Sequence, residues 1–123
     1  RLPNVHFVGA VPRQQVPSNL QQFDVCLIPY RANQYNEASF PLKFWEFMAT
    51  GKPIIVSGLR ELKEYEGLIG YASSAQEFVQ LGDYWLTHAT EKKTDRMNLA
   101  REHTLEKRVE TMLKLINNSR GAV

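Results

Sequence analysis

Four short apolar runs punctuate the chain, and between them apolar residues recur at helical spacing. The runs are Val5-His6-Phe7-Val8, Val25-Cys26-Leu27-Ile28, Ile54-Ile55-Val56 and Leu68-Ile69-Gly70-Tyr71-Ala72. Apolar runs without alternation predict strands covered on both faces, as in a parallel sheet. The last run is the weakest, because Gly70 offers no side chain to pack. Residues 14–23 predict a helix whose start is blurred by Pro17, and residues 41–50 predict a second. Strand, helix, strand, helix, strand is the α/β order, with connections long enough for parallel pairing. The expected fold is therefore α/β, with a parallel sheet of about four strands and flanking helices.

Further along, residues 58–65 read as a loop and a short helical turn. Ser73 or Ser74 is placed to cap a helix with Glu77 in its first turn and Phe78, Val79, Leu81, Trp85 and Leu86 on its apolar face. Residues 88–96 turn charged and read as a surface turn. Residues 97–117 predict one terminal amphipathic helix, with Leu105, Val109, Met112, Leu113 and Ile116 on a stripe suited to core or interface packing. Glu106 and Glu110 interrupt its basic residues, which argues against a nucleic-acid or calmodulin-type helix.

The helix at residues 41–50 carries the candidate chemistry. Proline is favoured at the first helical position and glycine just past the last, so Pro41 starts the helix and Gly51 stops it. Phe40, at the capping position, has no side-chain oxygen for the free amides of the first turn. Lys43 stands in that turn, where the positive end of the helix dipole disfavours a cation. Uncapped amides beside a lysine suit a bound anion such as phosphate. The alternative is that Ser39 or water caps the helix and Lys43 lies in solvent. Leu42, Phe44, Trp45, Phe47, Met48 and Ala49 make the helix apolar nearly all round, the mark of a buried helix. Lys43, Glu46 and Thr50 form one polar stripe, which faces water or lines a cleft. Lys43 and Glu46 can also form a simple i,i+3 ion pair, worth a few tenths of a kcal/mol. The amino end of this helix shares an edge with the expected carboxyl ends of the strands at Gly9, Pro29-Tyr30 and Ser57-Gly58, where α/β sheets bind ligands.

Composition narrows the classes. A chain of 123 residues supports one domain with a single modest core. Its net charge of +2 is too small to argue for a nucleic-acid partner. Cys26 is the single cysteine, so no disulfide closes within the chain and a reducing compartment is favoured; inside its apolar run it reads as a small buried hydrophobe. No apolar stretch approaches the roughly 18 residues of a membrane-spanning helix. The opening Arg1-Leu2-Pro3-Asn4 has no apolar core of a signal peptide and reads as the middle of something longer. His6, His88 and His103 lie far apart, without metal-site spacing. No G-x-S-x-G elbow, Walker A loop or G-x-G-x-x-G is present, and Asp24 begins a strand rather than ending one, unlike a phospho-acceptor. No metal and no cofactor is expected.

Residues 23–29 together with Phe40-Pro41-Leu42-Lys43-Phe44-Trp45-Glu46-Phe47-Met48-Ala49-Thr50-Gly51-Lys52-Pro53 resemble the C-terminal domain of group 1 glycosyltransferases of the GT-B fold. The branch with Pro-x-Lys-x-x-Glu-aromatic before Ala-x-Gly-Lys-Pro, bacterial enzymes of the teichuronic-acid and capsule type, is the most similar. Residues 5–12, 60–65 and 100–104 extend the resemblance over nearly the whole chain. It implies the donor-binding part of a retaining glycosyltransferase that moves a sugar from a UDP- or GDP-sugar to an acceptor in cell-surface polysaccharide or glycan synthesis. By resemblance, Glu46 accepts the ribose hydroxyls, and the Leu42 and Lys43 amides with the Lys43 ammonium face the diphosphate. Phe40 and Pro41 belong to the same motif, and Gly9 and Val11 meet the base through the backbone. The family's second glutamate, eight residues earlier, is Ala38 here, and the adjacent Glu37 is the candidate to replace it. The resemblance further implies a separate N-terminal acceptor domain facing the Lys43, Glu46 and Thr50 stripe, without which this part is inactive. It implies a cytoplasmic setting that admits peripheral membrane association. In the family sheet the strand at residues 5–8 is two strands from that at 25–28, so here it is expected to move in and pair, leaving an edge prone to self-association. Two other readings remain: a non-catalytic α/β nucleotide-binding or interaction module, and a GT-B epimerase. Catalytic residues are not assigned.

Overall fold

The computed structural model describes residues 2–121. A parallel three-stranded sheet forms from β1 (Cys26–Pro29), β2 (Ile54–Ser57) and β3 (Gly70–Ala72), in the order β1-β2-β3. Cys26 pairs with Ile54 and Ile28 with Val56, and across the other side of β2 Ile55 pairs with Gly70. Before β1 come a 3₁₀ turn (Arg13–Gln15) and the short α1 (Val16–Leu20), in which Pro17 occupies the first turn. The one-turn α2 (Gln34–Glu37) and α3 (Lys43–Thr50) join β1 to β2, and a 3₁₀ segment (Arg60–Tyr65) joins β2 to β3. Then follow α4 (Ala75–Thr87), α5 (Lys93–Glu102) and α6 (Leu105–Gly121).

The core lies on the α3 face of the sheet. Cys26, Ile28, Ile54 and Val56 pack there against Phe44, Met48, Leu59, Leu62, Ile69 and Ala100. Burial in this layer pushes the Cys26 thiol up to about 11, with Lys52 pulling weakly the other way, so it stays protonated and packs as a hydrophobe. On the opposite face α4 covers β2 and β3; its Leu81 and Trp85 sit so close to Gly70 that a Cβ there would meet them at 3.1–3.3 Å. The α4 start follows its sequence signal: Ser74 Oγ accepts from the Glu77 amide at 3.1 Å, and the Glu77 carboxylate accepts from the Ser73 amide at 2.7 Å.

The end of α3 is fixed by Gly51, whose φ of +73° is the left-handed stop expected of glycine. Its carbonyl accepts from Arg96 Nε at 3.1 Å. Arg96 is fully buried and also donates to the carbonyls of Leu68 at 3.0 Å and Glu91 at 2.8 Å, with its guanidinium 5.1 Å from the Trp85 ring centre. Burial pulls its pKa below the ordinary arginine value, and Asp95 opposes that.

Several expectations are corrected. Residues 5–8 form no strand: Phe7 and Val8 are exposed, and the sheet has three strands rather than four. They do not move in to pair with β1, whose outer edge stays open. A strand needs a ladder partner, and water satisfies both that edge and the free segment, so no gap forces them together. β1 is buried on one face only, because α4 covers β2 and β3 on the other, and Leu27 is 49% exposed. The helix expected at residues 14–23 is only a 3₁₀ turn and α1, and the polar loop after β1 contains α2. Residues 88–96 are not all surface, since α5 begins at Lys93 and Arg96 is buried. The terminal helix breaks at His103 and Thr104, and Leu105, Val109, Met112, Leu113 and Ile116 on α6 stay exposed. No helix among the described residues is long and apolar enough to cross a membrane.

Gly58 ties the sheet to the site edge. Its φ is +71°, and a Cβ there would run into the Tyr30 carbonyl oxygen and lie 2.6 Å from the Arg31 carbonyl carbon. Both contacts are rigid backbone, so Gly58→Ala is expected to lower stability by about 2 kcal/mol or more. Urea unfolding of the two proteins measures it, and a loss under about 0.5 kcal/mol would contradict the close approach.

Candidate functional site

The carboxyl ends of all three strands open into a cavity of about 690 Å³ lined by Tyr30, Arg31, Ser57, Gly58, Tyr71 and Ser74, among others. Tyr30 is locked there: its amide donates to the Ser57 carbonyl at 3.2 Å, and Ser57 Oγ donates to the Tyr30 carbonyl at 3.0 Å. The Lys43 ammonium, at the amino end of α3, lies 5.2 Å from the centre of the Tyr30 ring, an attraction between cation and ring face. Lys43 therefore sits at the carboxyl edge of the sheet beside this cavity without lining it.

The amino end of α3 has no side-chain cap. The capping residue is Leu42 rather than Phe40, because Pro41 and Leu42 form a tight turn with Phe44 N to Pro41 O at 3.1 Å and Trp45 N to Leu42 O at 3.2 Å. The amides of Leu42 and Lys43 have no hydrogen-bond partner among the described residues. Ser39 does not cap them, since its hydroxyl donates to the Tyr35 carbonyl at 3.0 Å. Phe40 turns inward, edge-on to Phe44 at 5.6 Å and stacked with Trp45 at 5.8 Å, while Pro41 is half-buried.

Glu46, one turn on from Lys43, is exposed, and among the described residues its carboxylate makes no hydrogen bond or ion pair. The simple Lys43–Glu46 pair is therefore not formed. Glu46 and Ala49 stand on a ridge between two cavities. One, of about 390 Å³, lies between α1 and α3 and includes Arg13; the other, of about 420 Å³, lies between α3 and α5 and includes His103. The expected stripe does not continue to Thr50, which is buried: its hydroxyl donates to the Phe47 carbonyl at 2.6 Å and accepts from the Lys52 amide at 3.1 Å. Nor is α3 buried all round, since Leu42 and Ala49 are exposed.

The structure brings Lys43, Glu46 and the free amides together on one turn beside Phe40 and Pro41, and leaves Gly9, Val11 and Glu37 outside the two cavities beside Glu46. Gly9, with φ +74°, and Val11 lie in the exposed segment leading to Arg13 and line neither cavity beside Glu46. Glu37, exposed at the end of α2, lines neither, and Ala38 ends that helix. Tyr30, already expected at the ligand edge as the close of an apolar run, lies under Lys43. Two neighbours carry no sequence signal for the site: Arg13, which lines a cavity with Glu46, and His103, stacked on Trp45 at 4.0 Å. Among the described residues no group of three or more His, Cys, Asp or Glu is placed to hold a metal ion.

The family model for group 1 glycosyl transferases matches residues 1–88. A teichuronic acid biosynthesis glycosyltransferase, TuaH, from Bacillus subtilis (strain 168) is 42% identical over 59 residues, covering 48% of this chain and 15% of that protein. The chain thus spans only a small part of that relative's length. No solved structure matches the chain.

Proposed function

The chain belongs to the group 1 glycosyltransferases, and from that premise we propose that the turn from Leu42 to Glu46 holds the nucleoside diphosphate of a UDP- or GDP-sugar donor. The observation that carries this reading is the pairing of two partnerless amides and a lysine with a partnerless carboxylate one helical turn away. The amides and the α3 dipole suit the diphosphate. Glu46, an acceptor at both oxygens, suits a pair of ribose hydroxyls. In sugar transfer the bond from the anomeric carbon to the diphosphate oxygen breaks, a bond to the acceptor oxygen forms, and the acceptor hydroxyl's proton passes to the departing diphosphate or through it to solvent. Charge grows on the departing diphosphate, and donors already aimed there lower the barrier without reorganising. Retention at the anomeric carbon, an acceptor in cell-surface polysaccharide, a separate acceptor domain and cytoplasmic placement at the membrane's inner face complete the reading.

Titrating UDP or GDP while following backbone amide shifts tests it. The largest shifts are expected at Leu42 and Lys43, and Lys43→Ala is expected to weaken binding roughly threefold to tenfold, the value of one charge-assisted contact at a surface site. Unmoved amides from Leu42 to Phe44 at millimolar nucleotide would overturn the reading and favour a non-catalytic module.

A further inference from the structure

We propose that Arg13 selects the base of the donor, favouring uracil or guanine, which present a carbonyl oxygen at C4 or C6, over cytosine and adenine, which present an amino group there. The proposal rests on the reading of Glu46 as the ribose acceptor. Arg13 and Glu46 carry opposite charges and line the same cavity of about 390 Å³, yet no ion pair joins them. Among the described residues the Arg13 side chain makes no hydrogen bond at all. That volume falls in the range of small-molecule sites, about 300–1,000 Å³.

The cavity wall between the two charges is apolar, formed by Val16, Pro17, Leu20 and Ala49. Such a wall accepts the flat face of a base, and a ribose held by Glu46 brings its base onto it. Of the other polar groups there, Thr50 is already engaged at both its donor and its acceptor. Gln21 offers an amide with both a donor and an acceptor, so it does not discriminate. Arg13 does: a guanidinium carries five N–H donors and no acceptor. It matches the O4 of uracil or the O6 and N7 of guanine, and it meets the amino group of cytosine donor to donor. Its place is set by the 3₁₀ turn, closed by Gln15 N to Pro12 O at 2.9 Å, directly after the segment holding Gly9 and Val11.

UDP and CDP differ at the edge in question, so calorimetric titration of both against the protein and its Arg13→Met variant is the test. Methionine keeps the apolar stem at an exposed site and removes the donors and the charge; UDP and CDP carry the same diphosphate, so the charge cancels in the ratio of their affinities. The unaltered protein is expected to bind UDP at least about fivefold tighter than CDP, and Arg13→Met to bind the two equally through a loss on UDP. Equal binding of both by the unaltered protein, or a preference that survives in Arg13→Met, overturns the role of Arg13 alone. Failure of both nucleotides to bind overturns the donor-site reading along with it.

Discussion

Replacing Arg96 with leucine is expected to destabilise the fold by about 2–5 kcal/mol, because it strips donors from buried carbonyls. The Gly51 carbonyl lies inside the structure and that of Leu68 is partly buried, and no other donor reaches them among the described residues; the Glu91 carbonyl, on an exposed residue, can turn to water. Arg96 is an unusual buried charge in that it faces carbonyls rather than a carboxylate. Its desolvation is offset by the three bonds, the carboxyl end of the α3 dipole and the face of Trp85. Arg96→Lys is expected to fall nearly as far, since one ammonium cannot span three divergent acceptors. As a control, Arg101→Leu on the exposed side of α5 should change stability by less than about 0.5 kcal/mol. Thermal or urea unfolding of the three variants decides it. An Arg96→Leu protein as stable as the Arg101→Leu control would mean that the carbonyls find water and the network is not structural.

Features set by local chemistry were legible in the sequence. The buried strand at residues 54–57, the Gly51 stop and the Ser74–Glu77 cap each depend on residues within a few positions of one another. The break at His103 and Thr104 is a correction to the single helix expected there, although its signal is local: the Thr104 hydroxyl accepts from the Lys107 amide at 3.3 Å. What depends on distant partners was not legible. Residues 5–8 have the composition of a strand, but composition does not supply a neighbour to pair with. Arg96 sits in a charged stretch that looks like surface, and its acceptor on Gly51 is 45 positions away.

The site divides in the same way. That the amino end of α3 lacks a side-chain cap follows from Phe40, Pro41 and Leu42, whichever of them occupies the capping position. Which way Lys43 turns does not follow from its neighbours. An i,i+3 glutamate invited an ion pair, and the ring of Tyr30, brought near by the β1–β2 pairing and the Gly58 approach, took the lysine instead. Glu46 is left without a partner among the described residues, as the proposed ribose contact requires.

Glu46→Gln is accordingly expected to separate binding from stability. Glutamine keeps the size and the helix propensity but loses the charge, and the exposed carboxylate has no protein partner to miss. Stability should therefore change by less than about 0.5 kcal/mol. A ribose held by the carboxylate loses charge-assisted hydrogen bonds worth about 1.5–3 kcal/mol, so nucleotide affinity should fall roughly tenfold to a hundredfold. The loss should be the same for UDP and CDP, which share the ribose, whereas the Arg13 variant removes the preference for UDP. Melting temperature and calorimetric affinity measured on one preparation test both halves. If Glu46→Gln melts several degrees lower and binds as tightly as before, Glu46 serves the fold, and the ribose must be held elsewhere.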